Sequence, residues 1–72
     1  MIFIAAKNFH EAKVCAVDLG LGPSKWAYAD SRERMQGHRN GTIVFYGDWR
    51  SHPNASEIEL LAKVQDMKIE PA

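Results

Sequence analysis

Lys7, Asn8, Asp48, Trp49 and Arg50 are the residues whose types and positions could do chemistry in this chain. The first two follow the apolar run 2–6, and the other three follow the apolar run 42–46. Ligands of parallel α/β sheets sit just beyond the carboxyl ends of the strands. A tryptophan beside an arginine has the composition of a protein-interface anchor. The competing reading folds Trp49 back over the sheet edge as core, because a small domain needs every aromatic it has. Asp48 ends a hydrophobic strand as a magnesium-binding acid would. One carboxylate without a phosphate loop holds Mg²⁺-nucleotide poorly, so it is read as solvating or capping its own loop.

The other reactive types fail on spacing. The stretch Gly20-Leu21-Gly22-Pro23-Ser24-Lys25 lacks the separation of a phosphate loop and stands between a helix and a strand, the wrong context. His10-Glu11 opens like a zinc-protease helix, but Val14 occupies the place of the second histidine. Cys15 falls among Val14, Ala16 and Val17, where a thiol serves as a small hydrophobe. His38 and His52 lie in separate loops. Arg32, Arg34, Arg39 and Arg50 stand beside three acids and are expected to be solvated. No catalytic set, metal site or cofactor is expected from these residues, and the chain is read as a non-enzyme.

The elements that would carry the loops announce themselves by their caps. Three tetrads resemble capping boxes: Asn8 with Glu11, Asp30 with Glu33, and Asn54 with Glu57. Each follows a short apolar run, which describes a strand leading into a capped helix three times over. Residues 2–6 read as a central strand buried on both faces. Residues 8–19 read as a helix with Phe9, Ala12, Ala16 and Leu19 on one stripe and Val14 and Val17 beside it. Gly20, Leu21 and Pro23 supply its stop. Residues 26–29 alternate large and small, as in an outer strand. A short helical turn starts at Asp30 or Ser31, Gly37 ends it, and Asn40-Gly41 turns into a strand at 42–46. A last helix, about 55–66, presents Ile58, Leu61 and Ala62 with Leu60, Val64 and Met67. Residues 67–70 offer a short fourth strand.

Seventy-two residues make one domain, which buries only about 60% of its unfolded surface. A single cysteine permits no internal disulfide, so homo-oligomerisation is a reasonable source of further stability. Nine basic and nine acidic residues cancel, so no strong field favours nucleic acid or membrane. The first apolar run is too short for a leader and lacks its basic start, and nothing reaches membrane-spanning length. A cytoplasmic protein is expected.

The pattern as a whole resembles a family of very small α/β proteins of actinobacterial phages, the mycobacteriophages in particular. The resemblance is carried by residues 2–8 with their helix, by Gly22-Pro23-Ser24-Lys25-Trp26-Ala27-Tyr28, by residues 30–37, and by residues 41–49 with the helix 57–64. It implies an accessory protein that binds a host or phage protein. The expected fold is a minimal Rossmann-like three-layer α/β domain, with a three-stranded parallel sheet in the order 2-1-3 and a possible short fourth strand. The expected function is protein interaction through the loops after the first and third strands. A small nucleotide- or nucleic-acid-binding domain, using Lys7, Arg32 and Arg50 on phosphates, is the alternative.

Overall fold

Residues 2–6 carry no polar side chain, and they form the middle of the sheet. The computed structural model describes residues 2–35 and 41–71, the side chains of Arg32, Glu33 and Pro71 excepted. Strand β1 (Ile2–Ala5) leads into α1 (Phe9–Asp18), and β2 (Trp26–Tyr28) leads into the short α2 (Arg32–Met35). Strand β3 (Thr42–Phe45) is followed by a 3₁₀ turn (Trp49–Ser51), α3 (Ala55–Val64) and β4 (Lys68–Pro71). All pairings are parallel, in the order β2-β1-β3-β4. The expected three-stranded order stands, and the fourth strand extends it beyond β3.

Alternation along the strands divides the core into two layers. Ile4, Ala6, Tyr28 and Val44 face α1 and meet Ala12, Cys15 and Ala16. Phe3, Ala5, Ala29 and Ile43 face the other way and meet Met35, Ile58, Ala62 and Met67. One helix therefore covers one face while α2 and α3 share the opposite one.

The helix ends show which caps are real. Asn8 accepts a hydrogen bond from the Glu11 N–H at 2.9 Å, as its place before α1 requires. After α1, Gly20 takes φ +73°, and the Leu21 N–H reaches the Ala16 carbonyl while the Gly20 N–H reaches that of Val17. This is a Schellman stop, and Gly20 relieves the strain of its left-handed backbone. Asp66 makes the same stop after α3 at φ +53°, with Met67 N–H on Ala62 O. That turn ends α3 at Val64, short of the expected 66, and sends the chain into β4. The third expected capping box does not form. Asn54 makes no side-chain cap, and its Nδ2 donates instead to the Asp30 carbonyl at 3.0 Å, joining the loops after β2 and β3. At α2 the cap is Ser31, whose Oγ accepts from the Arg34 N–H at 3.4 Å. The expected stop at Gly37 and turn at Asn40-Gly41 fall on residues 36–40, outside the described residues.

The apolar stripe expected on α1 is the largest correction. Phe9, Val17 and Leu19 are 57%, 68% and 49% exposed, while Ala12, Cys15 and Ala16 are buried. Small side chains let the helix lie close on the sheet, which leaves its largest apolar residues on the flank. Leu60 and Val64 of α3 are exposed in the same way, and Ala55, Ile58 and Ala62 are the buried set.

Candidate functional site

Two regions hold the residues that could meet a partner. The first is the rim at the carboxyl ends of β1 and β3. Ala5 pairs with Phe45, and the Tyr46 N–H donates to the Ala5 carbonyl at 2.9 Å, so both loops leave the sheet side by side. Gly47 turns the chain at φ +57° into the 3₁₀ turn. Asp48 makes no side-chain cap to the backbone of the 3₁₀ turn; its carboxylate instead accepts a 2.6 Å hydrogen bond from the Ser51 hydroxyl within its own loop. Trp49 is half-buried, its ring centroid 4.3 Å from that of Phe45, and it packs against the α3-side core. The Arg50 guanidinium lies 4.6 Å from the Trp49 ring centroid. Lys7 is 3.8 Å from Glu11, and the Asn8 side chain is spent on its cap. The rim thus presents Arg50 outward on a Trp49 that is partly core.

The second region runs along the outer edge of β2, and the sequence reading did not single it out. A groove of about 620 Å³ opens there, with Phe9, Lys13 and Val17 of α1 on one wall and Arg34 of α2 on the other. Trp26, Ala27 and Tyr28 of β2 line it between them. Phe9 stacks on Trp26 with centroids 5.9 Å apart and meets Tyr28 edge-on at 5.8 Å. Tyr28 continues the column to His52, again edge-on at 5.9 Å. The Tyr28 hydroxyl donates to the Ala6 carbonyl at 3.1 Å, which fixes the ring. His52 is fixed as well, its Nδ1 accepting from the Asn54 N–H at 3.0 Å. At one end Arg34 Nε sits 2.9 Å from Asp30 Oδ1. A signal for this site was present: Trp26 and Tyr28 stand two apart on a strand and so share a face.

The reactive groups lie apart from one another. Cys15 is buried under α1, and desolvation first, then the Asp18 charge, pushes its thiol up from the ordinary 9.0. It is held in the unreactive thiol form. Burial, with Asp30 adding to it, likewise raises Tyr28 from 10.0. No three His, Cys, Asp or Glu side chains converge as a metal site among the described residues. The Arg32 side chain, His38 and Arg39 lie outside the described residues. No described helix is long and apolar enough to cross a membrane.

The fold and the groove define a class: a small, all-parallel, three-layer α/β domain with an aromatic-lined strand edge. Comparison with protein-family models, with curated proteins and with solved structures gives no match.

Proposed function

We propose that this chain is a non-enzymatic protein-interaction module, acting as a phage accessory protein on a host or phage protein. The observation that carries this reading is the exposed aromatic groove. Phe9 is 57% exposed yet stacked on Trp26, and Val17 beside it is 68% exposed. Apolar surface held open and ordered in this way is characteristic of interaction sites. The resemblance to small actinobacterial phage proteins supports the same kind of partner. A nucleotide- or nucleic-acid-binding role has less to rest on, since Lys7 pairs with Glu11 and Arg50 lies on Trp49, while the Arg32 side chain lies outside the described residues.

The test is capture of proteins from an actinobacterial lysate on the immobilised chain, beside its Phe9→Asp and Glu59→Gln variants. Thermal melting confirms that all three are folded. A protein retained by the wild type and by Glu59→Gln, and lost with Phe9→Asp, supports the reading. Equal retention by all three defeats it. A rise in melting temperature with ATP or an oligonucleotide, the latter fading with salt, would favour the alternative.

A further inference from the structure

The groove has a strand edge along its floor. Among the described residues β2 is the terminal strand, paired with β1 alone in the sheet order. The Ala29 N–H donates to the Ile4 carbonyl, so Ala29 points its backbone groups at β1. Backbone direction alternates along a parallel strand, so Ala27, in register with Phe3, points inward too. Trp26 and Tyr28 therefore turn their N–H and C=O groups outward, two donors and two acceptors along the edge. Their side chains face α1, beside Phe9 and Val17. Native edges are usually blunted by charge, proline or a bulge. β4 carries such devices in Lys68 and Pro71, whereas β2, three residues long, carries neither charge nor proline and is flanked by walls.

The electrostatics select among extended chains. The described lining holds two cations, Lys13 on the α1 wall and Arg34 on the α2 wall. Asp30 is the one acid there, and its pairing with Arg34 leaves Lys13 as the lining cation without an ion pair among the described residues. Exposed Lys25 stands immediately before β2. A strand lying in the groove would set one row of side chains toward Phe9, Trp26 and Val17. The alternate row would turn toward the Arg34 wall.

We propose that the outer edge of β2 is a strand-addition site for an extended segment of another protein, apolar at alternate positions and acidic between them. The segment's backbone completes the Trp26 and Tyr28 hydrogen bonds, its apolar row covers the aromatic column, and its acidic row meets Lys25 beside the Arg34–Asp30 pair. Main-chain bonds of this kind give affinity, and the alternating side chains give selectivity. The proposal rests on the interaction-module reading and narrows it to one surface and one class of ligand.

The probe is a labelled, end-blocked peptide of about seven residues alternating Val and Glu, followed by fluorescence anisotropy. Three relatives of it are compared: one with Lys for Glu, one N-methylated at every Val, and one N-methylated at every Glu. Only one set of peptide amides faces β2. One methylated peptide should therefore bind about tenfold or more weaker, the loss of two hydrogen bonds, while the other is tolerated. The lysine peptide should bind at least about tenfold weaker at low salt, a gap that closes as salt rises. On binding the acidic peptide, the Trp26 and Tyr28 amides should slow in hydrogen exchange. Equal binding of the two methylated peptides overturns strand addition, and equal binding of the lysine peptide overturns the charge assignment. No binding of the acidic peptide at about 1 mM, or an edge already occupied by a second copy in sedimentation equilibrium, overturns the proposal as a whole. Should the peptides fail while Phe9→Asp still loses its captured protein, the strand-addition mode alone is wrong and the module stands.

Discussion

The rim and the groove both gather aromatic residues, and they use them oppositely. At the rim, Trp49 turns inward onto Phe45 and the α3-side core, with Arg50 laid over it. In the groove, Phe9 stays out in solvent while Trp26 and Tyr28 hold it in place from below. The difference follows from what lies beneath each. The loop after β3 must close the end of a core whose largest members are Phe3, Met35, Ile43 and Ile58. Beside β2, the small residues Ala12, Cys15 and Ala16 have already sealed the layer, so Phe9 is surplus to it. A tryptophan in a loop can thus be structural while a phenylalanine at a helix start is free to bind.

The largest test of this contrast is a pair of truncations. Trp49→Ala should cost about 2–3 kcal/mol, less than a fully buried tryptophan because the ring is only half-buried. Phe9→Ala should cost about 1 kcal/mol, since more than half of its area stays in water. Urea unfolding measures both. Costs in the reverse order would make Phe9 core and Trp49 the free anchor, and would return the site to the rim.

Tyr28 sharpens the comparison, because it is the part of the groove that also belongs to the core. Tyr28→Phe keeps the ring and removes the hydroxyl bond to Ala6, at a cost of about 1–1.5 kcal/mol. It should also change the alkaline limb of stability. Burial, then Asp30, raises the folded-state value of Tyr28 above 10.0, and burial, then Asp18, raises Cys15 above 9.0. The unfolded chain therefore loses each proton first. The stability these groups contribute is complete below pH 9 and falls as pH climbs through the two folded-state values. Melting temperature against pH should show this fall, with the Cys15→Ala variant losing its earlier part and Tyr28→Phe its later part. An alkaline limb unchanged in both variants would mean that neither group is effectively desolvated.

Much of the scaffold was legible in the sequence, for reasons these residues make plain. The unbroken apolar run before Lys7 reads as a central strand, and Gly20 before Pro23 as a helix stop. The fourth strand was readable from residues 67–70. The expected site was readable only in part. Lys7, Asn8, Asp48, Trp49 and Arg50 do sit at the ends of neighbouring strands, but local bonds occupy several of them: the cap at Asn8, the Ser51 bond at Asp48 and the Glu11 pair at Lys7. Of the groove only the Trp26 and Tyr28 face was legible, because helical periodicity counts Phe9 and Val17 as core. Whether a helix buries its large or its small residues depends on how closely it lies on the sheet, which no window of sequence records. Asn54 was misread for a similar reason, since its partner Asp30 is distant in the chain.

Gly47 offers a smaller test, confined to the rim. At φ +57° an alanine is strained whatever the space around it, and nothing lies within 4 Å of where its Cβ would be. Gly47→Ala should therefore cost about 1 kcal/mol through the backbone alone. Peptide binding in the groove should be untouched. A changed peptide affinity would show that rim and groove act as one site.

The smallest expected effect belongs to Arg50, and it decides what the rim is for. The guanidinium over Trp49 is exposed, so the cation–π contact is worth about 0.5 kcal/mol. Arg50→Ala should lower stability by no more than that, and Arg50→Lys should recover part of it. If Arg50 merely roofs Trp49, both variants keep every captured protein and leave the acidic peptide's affinity unchanged. If the Trp–Arg pair is instead an anchor, Arg50→Ala should cost a captured partner about tenfold or more in affinity while barely moving the melting temperature. A loss of that size with the groove intact would make the rim a second docking surface, and two surfaces on one small domain would let it bridge two proteins.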